Sequence, residues 1–193
     1  NEDYYLPFAT SLRMSDLGYQ NSVRSNFSVS TNSLNDYISD LKKATETVSK
    51  DFKEIEQKEL LQLNNNILQI DDEYYAIARP KSKNLSDQRL TKKLKGSGVD
   101  YIELRSLDLN PFTKSGIDQE TLNFLDIFLI YCFLKPSEHI SNSELEEIRS
   151  NDSLVAKKGR EPKLLLRCNK KNISLEDWGI KMIDEMLLIA DIM

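Results

Sequence analysis

The segment Tyr101-Ile102-Glu103-Leu104-Arg105-Ser106-Leu107-Asp108-Leu109-Asn110-Pro111-Phe112 reads as one β-strand running into a turn. Strand side chains alternate between faces, so Tyr101, Glu103, Arg105 and Leu107 point one way, and Ile102, Leu104 and Ser106 the other. A carboxylate and a guanidinium therefore share a face, one pleat apart. The carboxylate offers a hard oxygen to Mg²⁺. The guanidinium offers phosphate oxygens a planar fork of donors. The plain alternative is a same-face ion pair on a solvated strand, since paired charges are often only structural.

Helix starts lie on both sides of this strand. Ser33-Leu34-Asn35-Asp36 supplies a cap and an acidic first turn, followed by Leu34, Tyr37, Ile38, Leu41, Ala44 and Val48 at helical spacing. That helix is expected to run to about residue 55. A hairpin is expected next, with strands Asn66–Ile70 and Glu73–Arg79 about an Asp71-Asp72 turn, ended by Pro80. Residues 81–97 are basic and polar and read as a mobile loop, able at most to steer an anion. The central strand is expected over 99–109. Asp118 caps a helix whose run from Phe124 to Leu134 has Asp126 as its one charge, predicting burial on nearly all sides until Pro136 stops it. Ser141-Asn142-Ser143-Glu144 starts another helix. Residues 163–168 suit a short strand or buried coil. Ser174-Leu175-Glu176-Asp177 caps a last helix with Trp178, Met182, Met186 and Leu187 inward. The class is α+β, divided as residues 1–112, mixed, and 113–193, mainly helical.

Composition narrows the function classes. A net charge of −5 on 193 residues argues against a general nucleic-acid binder, and no aromatic in 81–97 offers base stacking. No apolar run has the length of a membrane span, and no signal peptide opens the chain. Cys132 and Cys168 lack metal-ligand spacing and read as reduced, buried thiols of a cytoplasmic protein. His139, the single histidine, belongs to no triad pattern and reads as structural. Neither a GxxxxGK[ST] loop nor a GxGxxG turn is present, so an ATP site must be built from strand residues and arginines. The first residue is Asn1, and the chain reads as a piece of something longer. Nothing in it sets an oligomeric state. A second candidate segment, Tyr5 to Asn21, is rich in hydroxyls and carries Arg13 and a Gly18-Tyr19 pair. A turn there presents the Tyr19 ring as a lid over a pocket, or simply forms a surface turn.

Three stretches together resemble the proteobacterial type of glutamate–cysteine ligase: Tyr4 to Tyr19, Asn66–Ile70 through Tyr75-Ala76-Ile77-Ala78-Arg79-Pro80-Lys81, and Tyr101 to Phe112. They occur in the family's order, and the resemblance covers residues 4 to about 135 strongly and the remainder loosely. The resemblance implies part of a glutamine-synthetase-like fold, a curved, mostly antiparallel sheet with helices behind. It implies that ATP phosphorylates the γ-carboxylate of L-glutamate and that L-cysteine then attacks the acyl phosphate. By the same resemblance Glu103 binds Mg²⁺ (or Mn²⁺), Arg105 and Arg13 reach the phosphates, Tyr19 and Tyr75 contact cysteine, and residues 18–27 order over substrate. The family's remaining metal carboxylates and its active-site histidine find no counterpart, and His139 does not match that histidine. The 193-residue chain alone is therefore expected to be inactive. The competing expectations are a non-catalytic binding or structural module and another carboxylate–amine ligase on the same fold.

Overall fold

A computed structural model describes residues 5–15, 17–18, 27–49, 63–83 and 87–192. Two compact units divide the chain: residues 19–106, and residues 1–18 together with 107–193. The architecture is α+β, with two small antiparallel sheets among the described residues.

In the unit 19–106, α1 (Leu34–Glu46) starts where expected, the Ser33 hydroxyl accepting from the Asp36 amide at 3.0 Å. Its buried face is Tyr37, Leu41 and Ala44, which join Val29, Leu68, Leu90 and Leu94 in one core. The helix stops at Glu46, well short of residue 55, because Thr47 turns extended. The last turn's carbonyls then need donors from elsewhere. Asn66 donates its side-chain amide to the Thr45 carbonyl at 2.6 Å, and Leu68 donates to Ala44 at 3.1 Å.

That requirement replaces the expected 66–79 hairpin. Asn66 forms only an isolated bridge to Val48, and Asp71–Glu73 is a 3-10 turn. The strand that does form, β1 (Ala78–Lys81), pairs with β2 (Tyr101–Leu104), antiparallel, Arg79 opposite Glu103. Pro80 lies inside β1 rather than ending it. Arg105 donates to the Ile77 carbonyl, so the odd-numbered residues of β1 face the ladder and the missing N–H of Pro80 points away from β2.

Part of the expected mobile loop is α2 (Leu90–Ser97). Leu90 and Leu94, one turn apart, bury in the core, and the buried Asp71 carboxylate accepts from the Thr91 amide and hydroxyl, each at 2.8 Å. Gly98, with φ of 76°, ends the helix in a conformation suited to glycine.

The second unit holds α3 (Gln119–Leu134), α4 (Asn142–Lys158), β3 (Leu165–Cys168), β4 (Lys171–Ser174) and α5 (Leu175–Ala190). Asp118, Ser141 and Ser174 cap the three helices. β3 and β4 form the second antiparallel pair. Thr10 ties the N-terminal segment to α4, its amide donating to Ala156 at 2.9 Å and its hydroxyl to Val155 at 2.7 Å.

Two burial expectations fail here. α3 packs against α5 with Tyr131 as its buried residue, while Phe124 is 49% and Phe133 88% exposed. On α5, Met186 is buried but Leu187 is 54% exposed. Within this unit a single helical neighbour can cover only one stripe of α3, however apolar its other faces are.

Candidate functional site

The β1–β2 sheet gathers a charged face. Glu103 and Arg105 do share it, as alternation requires: Arg105 Nε donates to Glu103 Oε1 at 3.0 Å. β1 adds two cations that the sequence reading passed over. Lys81 Nζ lies 3.8 Å from Glu103 Oε2 and 3.3 Å from Asp72, and Arg79 bonds the same Asp72 oxygen at 3.1 Å. Their signal was available as alternation of Arg79 and Lys81 about Pro80, but taking Pro80 as a strand end hid it.

Tyr75 completes the group. Its hydroxyl lies 3.5 Å from the Arg105 carbonyl, and the Arg105 guanidinium sits 6.0 Å from the centre of its ring. Glu103, Arg105 and Tyr75 are thus brought together by residues that are far apart in sequence.

The electrostatics follow from this packing. Partial burial pushes the Glu103 carboxyl up, but the hydrogen bond and charge of Arg105, then Lys81 and Arg79, outweigh it and hold it below the ordinary glutamate range. A partly exposed pair of this kind contributes on the order of 1 kcal/mol or less to stability. Its consequence is orientation: the bond from Nε holds the Arg105 side chain against Glu103. Counting Asp72 and Glu103 against Arg79, Lys81 and Arg105, the face carries one excess positive charge, which suits an anion.

Arg13 belongs to the other unit, on a turn built by hydroxyls. Ser11 Oγ accepts from the Met14 amide at 3.2 Å, and the Ser15 hydroxyl donates to the Leu12 carbonyl at 2.7 Å. Gly18 is needed at the end of this turn for close approach: a Cβ there would lie 2.0 Å from the Arg13 carbonyl oxygen. Tyr19, and most of the expected lid 18–27, lie outside the described residues.

The described residues do not by themselves build the metal site that Glu103 was expected to serve: they contain no group of three or more His, Cys, Asp or Glu placed to hold a metal ion. Both Glu103 oxygens already face cations. His139 is exposed on the segment after α3. Cys132 is exposed, against expectation, and Cys168 is half-buried. What cover the Cys132 sulfur has raises its thiol pKa, with Lys135 opposing, so it is no activated nucleophile. An apolar groove of about 510 Å³ in the second unit, walled by Met14, Val155, Leu166, Trp178 and Met182, contains none of the expected site residues. No described helix is long and apolar enough to cross a membrane.

Comparison with known proteins gives the family context. The family profile for glutamate–cysteine ligase matches residues 1–155. A glutamate–cysteine ligase of Aliivibrio fischeri is 42% identical over 192 residues, covering 97% of this chain and 37% of the relative. One from Pseudomonas putida is 42% identical over 195 residues, covering 100% of this chain and 37% of the relative. Among solved structures, the glutamate–cysteine ligase of Francisella tularensis in complex with AMP superposes with a TM-score of 0.88 at 34% identity, covering 96% of this chain and 38% of that one. The chain thus spans little more than a third of the length of the relatives it matches.

Proposed function

The chain belongs to the glutamate–cysteine ligase family, and from that premise we propose that it supplies part of the catalytic apparatus of an ATP-dependent carboxylate–amine ligase that makes γ-glutamylcysteine. The observation that carries the reading is the joining of Arg105, Glu103 and Tyr75 on one face of β1–β2.

The chemistry to be served is a phosphoryl transfer followed by an acyl transfer. The γ-carboxylate oxygen of L-glutamate attacks the terminal phosphorus of ATP, and ADP leaves. The amine of L-cysteine then attacks the acyl carbon, and phosphate leaves with the C–O bonding pair. Negative charge is spread over the phosphoryl oxygens in the first step and returns to phosphate in the second. Preorganised donors at those oxygens are typically the largest single contribution to such catalysis. Arg105, already oriented by Glu103, is assigned to them, and Arg13 is assigned as a second phosphate arginine. Tyr75, whose ring lies beside the Arg105 guanidinium, is assigned with Tyr19 to the cysteine carboxylate. Glu103 is assigned as one oxygen ligand of a Mg²⁺ or Mn²⁺ ion, whose other ligands the described residues do not provide. No step is assigned to that ion.

A chimera tests the reading. The matching segment of the Aliivibrio fischeri relative is replaced by this chain, and γ-glutamylcysteine and ADP are measured with ATP, L-glutamate and L-cysteine. The chimera is expected to form both, and the isolated chain neither. A folded chimera that stays silent beside an active parent would overturn the proposal. Turnover with other amines but not with cysteine would move it to a different carboxylate–amine ligase.

A further inference from the structure

Arg79 differs from the other charged residues of its sheet. Its side chain is only 2% exposed, and a guanidinium cannot escape burial by losing its proton. Among the described residues its one ion-pair partner is Asp72, and its Nε has no hydrogen-bond partner. The Tyr37 hydroxyl, buried on α1, lies close enough to Arg79 to interact with its side chain and its charge. Unsatisfied buried donors and charges cost stability, and an apolar side chain of similar volume in such a place is often neutral or stabilising. Core packing therefore does not explain a guanidinium at this position.

The register does. Arg79 lies directly across from Glu103, and cross-strand partners project from the same face of the sheet. Asp72, on the 3-10 turn, holds Arg79 and Lys81 by the same oxygen. Glu103 is thus flanked by Arg79 across the ladder, Lys81 on the diagonal and Arg105 on its own strand. Of these three cations Arg79 is the one that the core immobilises.

We propose that Arg79 is a positioning residue: its buried guanidinium, anchored by Asp72 opposite Glu103, holds the Glu103–Arg105 pair in the geometry that presents Arg105 to an anionic group. The identity of that group as a phosphoryl rests on the ligase reading. The positioning is a property of this chain and is tested separately.

The test follows the Arg105 Nε–H signal by NMR in the full chain labelled with nitrogen-15, reading its exchange with water at mildly acidic pH. Arg79→Met removes the charge and keeps much of the stem, while Arg79→Lys keeps the charge. Arg79→Met is expected to speed exchange about tenfold, the scale of losing one charge-assisted hydrogen bond. Arg79→Lys is expected to restore most of the protection. Rescue by charge separates positioning from mere packing, because Met fills the space at least as well as Lys. Unchanged exchange in a folded Arg79→Met chain overturns the proposal. Should Arg79→Met fail to fold, Asp72→Asn, which cuts the anchor at an exposed carboxylate, decides instead: faster exchange supports the proposal and wild-type exchange overturns it. In the chimera, Arg79→Met is expected to lower kcat with little change in the KM for ATP, and a change in KM alone counts against positioning. A chimera inactive with Arg79 intact counts against the ligase reading only, and the exchange measurement still decides the positioning.

Discussion

At the scale of single residues, the informative contrast is between Glu103–Arg105 and Arg79–Lys81. The first pair is two residues apart on one strand, so alternation alone puts both side chains on one face. The second pair obeys the same rule, yet its meaning depends on a partner strand twenty residues away and on Asp72. Sequence spacing therefore revealed one half of the charged face and not the other. Gly18 offers a residue-scale prediction. An alanine methyl there would press on the Arg13 carbonyl, and backbone cannot yield as a flexible side chain would. Gly18→Ala should cost about 1–3 kcal/mol in urea denaturation and shift the Arg13 amide resonance. Wild-type stability and an unmoved resonance would show that the turn is not held as described.

At the scale of elements, the starts of α1, α3, α4 and α5 were legible because a cap is a contact between residues three apart. α2 was not. Its lysines make it resemble a loop, and its N-terminus is capped by Asp71, twenty residues upstream. Leu94 is 1% exposed at its centre. Leu94→Ala should lower the stability of the chain by about 2–5 kcal/mol by chemical denaturation, whereas a mobile loop would lose nothing. The Asp118 cap has a pH signature. The Thr121 hydrogen bonds, aided by the one from Asn110, hold its carboxyl below the ordinary aspartate value of 3.8. Its folded pKa is depressed, so its contribution is fully present above about 3.8 and disappears as pH falls through the lower folded value. Melting of the wild type and Asp118→Ala should differ at neutral pH and converge below that window. A gap that stays constant with pH would assign the effect to something other than the carboxylate.

At the scale of the whole molecule, two compact units carry the expected residues: Glu103, Arg105 and Tyr75 in one, Arg13 in the other. The family proteins are nearly three times as long as this chain, and catalysis is a property proposed for the longer assembly. In the active chimera, Arg105→Ala is expected to reduce kcat by about 10²–10³, the usual loss when one donor to a developing oxyanion is removed. Unchanged kcat would remove Arg105 from the phosphate. The starts of α1, α3, α4 and α5, the α+β class and the shared face of Glu103 and Arg105 could be read from local order, because each rests on relations within a few residues. That β1 pairs with β2 rather than with residues 66–70, that a lysine-rich stretch is helical, that α3 keeps apolar side chains exposed, and that Arg79 is buried opposite Glu103 emerged with the fold. Those outcomes depend on donors, caps and packing partners supplied by distant parts of the chain, which no local pattern encodes.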